Sequence, residues 1–452
     1  MGTILTSVVA FIVAISLLIA IHEYGHYIVA RLFGIKVLRY SIGFGKPLWS
    51  IRRGPDETEY CISALPLGGY VKLLDGRETE IAPEDQGRAF DQQPVPQRIA
   101  VLFAGPAFNF LFAIAAYWIL FVQGVAVVSP VIGEVEADSY AAEAGLAYED
   151  RILAVGGREV SGWEDTLITL LGDMVDDGRV PLTVERADGS TERLTLDVGR
   201  DVARLTEPGM LFEGLGFRPW SPPVVVGEVN PDSAAEAAGL ASGDRIVAVD
   251  GEPVASWREL TDALSPRPGE TVAVTYERGG DTRTVETTLG AMQSDGERRG
   301  ILGISNRIEP SERRISIQEY GPLEAVGEAT VKMVDTTVFT VRMLFRMVVG
   351  DVSLKNISGP VNIAQYAGSS ASAGSEYFIG FLAVVSISLG VLNLLPIPML
   401  DGGQIVYQTV EWVKGSPLSE RAQIIGQQVG ILALIAIMGL AFYNDLARIF
   451  AP

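Results

Sequence analysis

The 452-residue chain is poor in cysteine, histidine and positive charge. Its one cysteine, Cys61, cannot form an internal disulfide, and two histidines leave few histidine-based mechanisms open. The 35 Lys and Arg stand against 55 Asp and Glu, and the net charge of −20 argues against a nucleic-acid partner. Only 20% of the residues are charged and 48% are hydrophobic, which excludes a disordered chain.

The deficit of positive charge is confined to one segment. From Ala126 to Thr330 the chain has 38 acidic residues, 18 arginines and no lysine, whereas the remainder has 17 residues of each sign. An acidic block therefore interrupts an apolar framework whose charges balance.

Four uncharged stretches are long enough to cross a bilayer, whose hydrocarbon core takes about 20 apolar residues. They are Met1–Ile21, Ile99–Val128, Tyr377–Leu400 and Ala422–Asn444. The alternative for the first stretch is a cleaved signal peptide, but it lacks a basic start and a small-residue cleavage site, which favours a retained span. A fifth apolar stretch, Leu323–Val349, carries charges and is predicted to be an amphipathic helix at the interface or against the bundle.

Short-loop Lys and Arg predict the orientation of these spans. Six basic residues follow the first span between Arg31 and Arg53, and Lys414 and Arg421 separate the last two spans. Both loops are therefore expected in the cytosol, with both termini and the acidic block on the exported side. Four basic residues between Lys332 and Lys355 run against this orientation, although the rule weakens for long translocated domains.

The acidic block contains a duplication. Residues Val131–Leu170 and Val225–Leu264 are identical at 20 of 40 positions when the sequence is shifted by 94 residues. Each copy has short apolar strands ending in Gly-bearing turns, a pattern that resembles tandem PDZ domains, which bind extended peptides beside a helix. Gly214–Phe217 resembles a carboxylate-binding loop and Gly300–Gly303 a looser counterpart, while the alternative is ordinary turns.

Both histidines lie in one motif, His22-Glu23-Tyr24-Gly25-His26, at the end of the first span. Residues i and i+4 share a helix face, so both imidazoles can reach one metal ion, and Glu23 can act as the general base. The alternative is an ordinary helix end with interfacial histidines, but a carboxylate beside an apolar span is costly without a function.

A catalytic zinc needs three protein ligands and one open position. Because no third histidine exists, the remaining ligand is Cys61 or a carboxylate. Asp401 stands out because it ends the run Asn393–Asp401, in which two prolines break the third helix and create a polar cavity. In the four-span topology, the two histidines and Asp401 are all expected near the cytosolic face of the membrane.

The chain resembles the site-2 protease class of intramembrane zinc metalloproteases. The resemblance covers nearly the whole chain and includes the His22–His26 motif, the duplicated block and Asn393–Gly402, together with Ser41–Gly45, Pro66–Lys72 and Gly350–Pro360. The chain departs from the pattern at Gln404, where many relatives have histidine.

The resemblance implies roles for individual residues. It implies one Zn²⁺ per chain bound by His22, His26 and Asp401, with Glu23 as the catalytic base and Cys61 as a bystander. It implies that Asn393, Pro396 and Pro398 contact the substrate, and that residues 37–71 form a membrane-associated β-hairpin. Gly43, Phe44 and Gly45 would then offer an edge to an unwound substrate strand, or form a simple tight turn.

The resemblance also implies a function and a location. The expected reaction is hydrolysis of peptide bonds within single-span membrane proteins, as the second cut of an anti-sigma factor remnant and in the clearance of signal-peptide remnants. The expected location is the bacterial inner membrane, with the PDZ pair periplasmic, where it captures peptides or excludes bulky substrates. A non-proteolytic receptor with a structural metal and a metal transporter are the competing hypotheses.

The predicted fold is a polytopic α-helical membrane protein with four transmembrane helices, a β-hairpin region and two α+β PDZ domains in tandem. The predicted segments are 1–30 (first span), 31–97 (β region), 98–124 (second span), 125–220 and 221–308 (the repeats), 309–376 (amphipathic and linker helices), 377–401 (third span), 402–421 (loop) and 422–446 (fourth span).

Overall fold

The computed structural model describes residues 2–221, 223–254, 256–294, 297–307 and 315–450, and the chain divides into two compact units. The repeat unit comprises residues 127–201 and 209–316, and the helical unit comprises residues 2–126, 202–208 and 317 to the end. The helices are α1 (Gly2–Leu32), α2 (Val95–Gln123), α3 (Tyr140–Glu143), α4 (Trp163–Asp177), α5 (Val202–Leu205), α6 (Met210–Leu215), α7 (Ala234–Ala237), α8 (Trp257–Leu264), α9 (Glu324–Val349), α10 (Pro360–Ala373), α11 (Ser375–Asn393), α12 (Asp401–Lys414) and α13 (Glu420–Phe450). The strands are β1 (Val37–Arg53), β2 (Thr58–Leu73), β3 (Val125–Val128), β4 (Ile132–Val135), β5 (Arg151–Val155), β6 (Arg158–Glu159), β7 (Arg179–Glu185), β8 (Thr191–Asp197), β9 (Phe217–Pro219), β10 (Val224–Val229), β11 (Arg245–Val249), β12 (Glu252–Pro253), β13 (Thr271–Arg278), β14 (Asp281–Thr288), β15 (Gly290–Ser294), β16 (Glu297–Ile301), β17 (Ile304–Asn306) and β18 (Ile315–Gln318).

Within the described residues, four helices are long and apolar enough to cross a membrane. They lie in α1, α2, α11 and α13, over Ile4–Leu32, Val95–Gln123, Ser375–Asn393 and Arg421–Phe450. The protein is therefore a membrane protein with four candidate spans, as the uncharged stretches predict.

The uncharged stretches Ile99–Val128 and Tyr377–Leu400 run past the ends of the helices that they contain. The second span ends at Gln123 because Gly124 adopts φ +79°, and residues 125–128 form a strand instead of continuing the helix. The third span ends at Asn393 because Pro396 and Pro398 lack the backbone N–H that a continuing helix needs. The apolar length of a stretch overestimates a helix wherever glycine or proline stops it.

The stretch predicted to be an amphipathic helix forms α9. Ala325, Ala329 and Thr336 are buried on one face, while Val334 and Phe345 are among the exposed apolar residues of the other. Ala329 packs against the core that α2 and α11 share, so α9 lies against the helical bundle.

The β region between the first two spans is a compact antiparallel sheet. Both strands are long and bent, so each contributes two segments to the sheet. The segments lie in the order 69–73, 37–42, 58–62 and 49–53, and each pairs with the next. Gly43 and Gly45 make the bend in β1, with φ of +92° and +89°. The tip carries exposed apolar side chains, including Phe44, Leu48 and Trp49.

The two copies of the duplication fold alike within the repeat unit. In the first copy the sheet order is β6-β5-β7-β8, and in the second the corresponding strands follow the order β12-β11-β13-β14. Each copy buries one aspartate, Asp150 or Asp244, against an arginine of the following hairpin, Arg186 or Arg278. The core of the second copy gathers Val226, Ile246, Val274 and other apolar residues of these strands.

One predicted domain range differs from the compact units of the structure, and one predicted boundary has no described counterpart. Residues 202–208 belong to the helical unit, so the segment 125–220 is not one continuous domain. The predicted boundary between residues 308 and 309 lies outside the described residues.

Candidate metal centre

Helix α1 brings three polar side chains to one place in the apolar bundle. His22 and Glu23 are buried, and the side chain of His26 is 12% exposed. One helical turn separates the two histidines, and their Nε2 atoms lie 3.2 Å apart. The i, i+4 spacing therefore does place both imidazoles at one point.

Asp401 reaches the same point from the other end of the sequence. It is the first residue of α12, and its Oδ2 lies 3.1 Å from His22 Nε2 and 3.4 Å from His26 Nε2. The non-helical residues 394–400 fold back on this first turn, so that a Cβ at Gly402 would lie 2.2 Å from the Leu394 carbonyl oxygen. A Cβ at Gly403 would lie 2.1 Å from the Ile397 carbonyl oxygen. Both glycines after Asp401 are therefore needed for the loop to deliver the carboxylate.

The geometry of the three donor atoms fits a zinc ion. Zinc–ligand bonds of about 2.0–2.1 Å in a tetrahedron place neighbouring ligand atoms about 3.3–3.4 Å apart. The observed separations are 3.1, 3.2 and 3.4 Å. Among the described residues, these three side chains form the one group of at least three His, Cys, Asp or Glu whose donor atoms lie within 4.8 Å of one another. Three protein ligands leave a fourth position free for water or substrate, as in catalytic zinc sites.

The orientation of His26 suits a metal ligand. Its Nδ1 lies 2.8 Å from the backbone carbonyl oxygen of Val101. A carbonyl oxygen only accepts hydrogen bonds, so Nδ1 carries the hydrogen and Nε2 presents its lone pair to Asp401 and His22.

Helix α2 forms the wall behind both imidazoles. A Cβ at Gly105 would lie 2.3 Å from His26 Nε2 and 2.8 Å from His22 Cε1, and a Cβ at Gly25 would lie 2.3 Å from the Ala104 carbonyl oxygen. Both glycines allow α1 and α2 to approach closely at the site. Sequence reasoning missed this role; the available signal was the Gly105-Pro106 pair inside an apolar span.

The β-sheet passes beside Glu23. Val71 of β2 lies near the Glu23 carboxylate. A Cβ at Gly69 would lie 3.1 Å from Glu23 Cγ and 2.7 Å from Ile19 Cγ2, so this part of β2 runs directly along α1. Residues 69–73 are one of the two outer segments of the sheet, so an edge strand runs beside Glu23.

The residues predicted to contact substrate form two groups, one from the end of α11 to the loop before Asp401 and one at the bend of β1. Asn393 ends α11, Pro396 is exposed, and Pro398 packs against α13, where a Cβ at Gly430 would lie 3.2 Å from its ring. The Phe44 ring stacks on that of Tyr70 with centroids 6.2 Å apart, between the bends at Gly43 and Gly45.

Two further residues named in the sequence lie outside the donor group. Cys61 is buried on β2, opposite Ser41 and Ser50 in the sheet. Gln404 donates a hydrogen bond from its Nε2 to the Pro398 carbonyl oxygen at 2.9 Å, so in this chain it braces the loop before Asp401.

A partly buried ion pair joins α12 to α2. Arg98 Nη2 lies 2.6 Å from Glu411 Oε1, and the two side chains are 8% and 22% exposed. No sequence motif marks this pair, because its partners lie 313 residues apart.

Comparison with known proteins gives a consistent result. The sequence profile described as "Peptidase family M50" matches residues 10–437. The "Regulator of sigma E protease" of Salmonella typhi is 41% identical over 99% of this chain and 100% of its own length. The "Regulator of sigma-E protease RseP" of Escherichia coli K12 is 41% identical over 97% of this chain and 98% of its own length. A Vibrio cholerae relative, whose description contains the words "zinc metalloprotease", is 42% identical over 99% of this chain and 100% of its own length.

One solved structure resembles about a fifth of this chain. The PDZ domain of the SdrC-like protein from Listeria monocytogenes is 27% identical over 20% of this chain and 92% of its own length, with a TM-score of 0.18.

Proposed function

Because the chain belongs to peptidase family M50 and is a zinc metalloprotease of the membrane, we propose that it hydrolyses peptide bonds within transmembrane segments of single-span proteins. The observation that carries this proposal is the convergence of His22, His26 and Asp401 beside Glu23, within a helix long and apolar enough to span a membrane. These three side chains would hold one zinc ion. A zinc ion held there would supply Lewis-acid activation of water and of the scissile carbonyl.

Glu23 is the proposed catalytic base. It follows His22 in α1 and is buried, so its carboxylate stays close to the donor atoms and away from bulk water. In the proposed reaction it takes a proton from the attacking water and delivers it to the leaving amine nitrogen.

A helical substrate hides its carbonyl groups in intrahelical hydrogen bonds and must unwind before attack. The outer segment of the sheet, residues 69–73, is proposed to pair with the unwound strand, since main-chain hydrogen bonds to an edge strand replace those lost from the helix. Gly43, Phe44 and Gly45 lie in the same sheet, and Asn393, Pro396 and Pro398 are proposed to contact the substrate from the loop before Asp401.

The proposed substrate is inferred from the names of the relatives. Relatives at 41% identity over almost their full length are called regulators of sigma-E protease, so an anti-sigma factor remnant is the proposed substrate and signal-peptide remnants a second one. The proposed location is the inner membrane of a Gram-negative bacterium. The repeats are proposed to be a periplasmic PDZ pair that captures peptides or excludes untrimmed substrates.

The test is cleavage of a pre-trimmed, single-span anti-sigma stem in membranes. We expect the intact protein to cut the stem and the Glu23→Gln variant, which keeps the side-chain shape but removes the base, to be inactive. Equal cutting by both would refute the assignment of Glu23, and a stem left intact by a zinc-loaded protein would refute the substrate.

A further inference from the structure

Asn109 is a buried polar residue in α2 that the proposed reaction does not use. It is fully buried, and its side-chain Oδ1 has no hydrogen-bond partner among the described residues. Its Nδ2 lies 3.1 Å from His22 Nδ1. A buried amide oxygen without a partner costs about 1–3 kcal/mol, so such an atom calls for a donor.

Metal binding by His22 would supply that donor. The Nε2 atom of His22 faces His26 and Asp401, so a ligand role requires the lone pair on Nε2 and the hydrogen on Nδ1. That Nδ1–H would then face the Asn109 NH₂ group, which is also a donor. A 180° rotation of the side-chain amide exchanges Oδ1 and Nδ2, which places Oδ1 beside His22 as the acceptor for the Nδ1–H.

We propose that Asn109 is a positioning residue of the metal centre, whose Oδ1 accepts the Nδ1–H hydrogen bond of His22 when zinc is bound. It would thereby set the ring orientation and the tautomer of His22, as the Val101 carbonyl does for His26. This inference rests on the proposed ligand set of His22, His26 and Asp401.

The surroundings of Asn109 fit this role. It lies one helical turn beyond Gly105, the residue that brings α2 against both imidazoles. Its own backbone carbonyl accepts a hydrogen bond from Ser386 Oγ at 2.9 Å, and Ser386 is also fully buried. Helix α11 therefore contacts the backbone of Asn109 and does not use its side-chain amide.

The test measures zinc affinity of the full chain in detergent by competition with a chromophoric chelator. Asn109→Leu keeps the size of the side chain but has no acceptor, and we expect it to bind zinc about 10- to 100-fold more weakly. Asn109→Asp retains an acceptor oxygen and is expected to bind at least as tightly as wild type. Ser386→Ala is the matched control, since it removes a buried hydrogen bond to the same residue's backbone and should leave the affinity within about 3-fold of wild type.

Histidine-selective ¹⁵N labelling provides a readout that general destabilisation would not reproduce. The chain has only two histidines, and His26 is an internal control because its Nδ1 is paired with a backbone carbonyl. In zinc-loaded protein the Nδ1–H signal of His22 should move in Asn109→Leu and in Asn109→Asp, while that of His26 stays in place. Because Asn109→Asp keeps the size of the side chain and an acceptor oxygen, its His22 signal decides between the outcomes if the Leu variant does not fold.

Unchanged zinc affinity in Asn109→Leu, or an unchanged His22 signal in Asn109→Asp, would overturn the inference. Equal weakening by Ser386→Ala would do the same, since the effect would then be general packing. A separate variant tests the proposed zinc ligands. If His22, His26 and Asp401 do not bind zinc, His26→Ala will bind zinc as tightly as wild type.

Discussion

At the scale of a single residue, Gly105 leaves the space that the imidazoles of His22 and His26 need to bind one metal ion. Replacing it with alanine would place a methyl group 2.3 Å from His26 Nε2 and 2.6 Å from His26 Cε1, so both rings would have to move. Because a displacement of about 1 Å costs roughly 100-fold in rate, we expect Gly105→Ala to lower proteolysis by about that factor and to reduce zinc retention. Substrate cleavage and zinc content per chain measure the two effects.

Gly439→Ala is the control for this experiment, because no atom lies within 4 Å of a Cβ at that position. It should leave both activity and zinc content unchanged. A Gly105→Ala variant as active as wild type would contradict the close approach of α2 to the metal centre.

A second residue-scale prediction concerns acid stability of the second repeat. Burial acts to raise the pKa of the Asp244 carboxyl, but its hydrogen bonds from Arg278 and from the Ala241 N–H outweigh burial and hold that pKa below its ordinary value. A lowered folded-state pKa means that this stabilisation is full above about pH 4, the pKa of an unfolded aspartate, and is lost as pH falls through the folded-state pKa.

Hydrogen exchange of residues 223–307 between pH 3 and pH 6 measures this stabilisation. We expect wild type to lose protection as the pH falls below about 4, and Asp244→Asn to be less protected at pH 6 and less sensitive to acid. Identical pH profiles for the two chains would contradict the role of this pair.

At the scale of elements, the position of α12 depends on its ion pair with α2. Glu411 lies on the same helix as the ligand Asp401, so the contact with Arg98 helps to hold that helix in register with α1 and α2. Removing one partner of a partly buried pair leaves the other charge poorly compensated, and we expect Arg98→Met to lower the free energy of unfolding by about 1–3 kcal/mol. Thermal unfolding in detergent, with and without zinc, measures the loss.

The double variant Arg98→Met, Glu411→Leu should recover much of the lost stability, because neither charge remains buried. Arg179→Met serves as the comparison, since Arg179 pairs with Asp197 at an exposed site and should cost under about 1 kcal/mol. A similar cost for both arginines would show that burial of the Arg98 pair has no special effect.

At the scale of the whole molecule, most of the acidic block forms the repeat unit, residues 127–201 and 209–316, which lies in the sequence between the second and third spans. If it excludes bulky substrates, deletion of Val131–Arg307 should permit cleavage of a single-span substrate whose outer domain is still attached. Cleavage of trimmed and untrimmed stems by the two proteins is the measurement. A deletion variant that still cuts only the trimmed stem would contradict the filter.

The membrane spans and the duplication could be predicted because they depend on local composition. Uncharged stretches of about 20 residues define the four spans, and 20 identities in 40 positions reveal the repeat without knowledge of its fold. Span ends were less predictable, since Gly124 and the prolines after Asn393 stop helices inside apolar sequence.

The sequence by itself determined the helix face that presents His22 and His26, because i, i+4 spacing is a property of one helix. It left the third ligand open between Cys61 and a carboxylate. Only the tertiary structure brought Asp401 to the histidines across more than 370 residues, set Gly105 against both rings and placed Asn109 behind His22. These contacts join separate helices and depend on where glycines allow backbones to approach, so no local pattern encodes them.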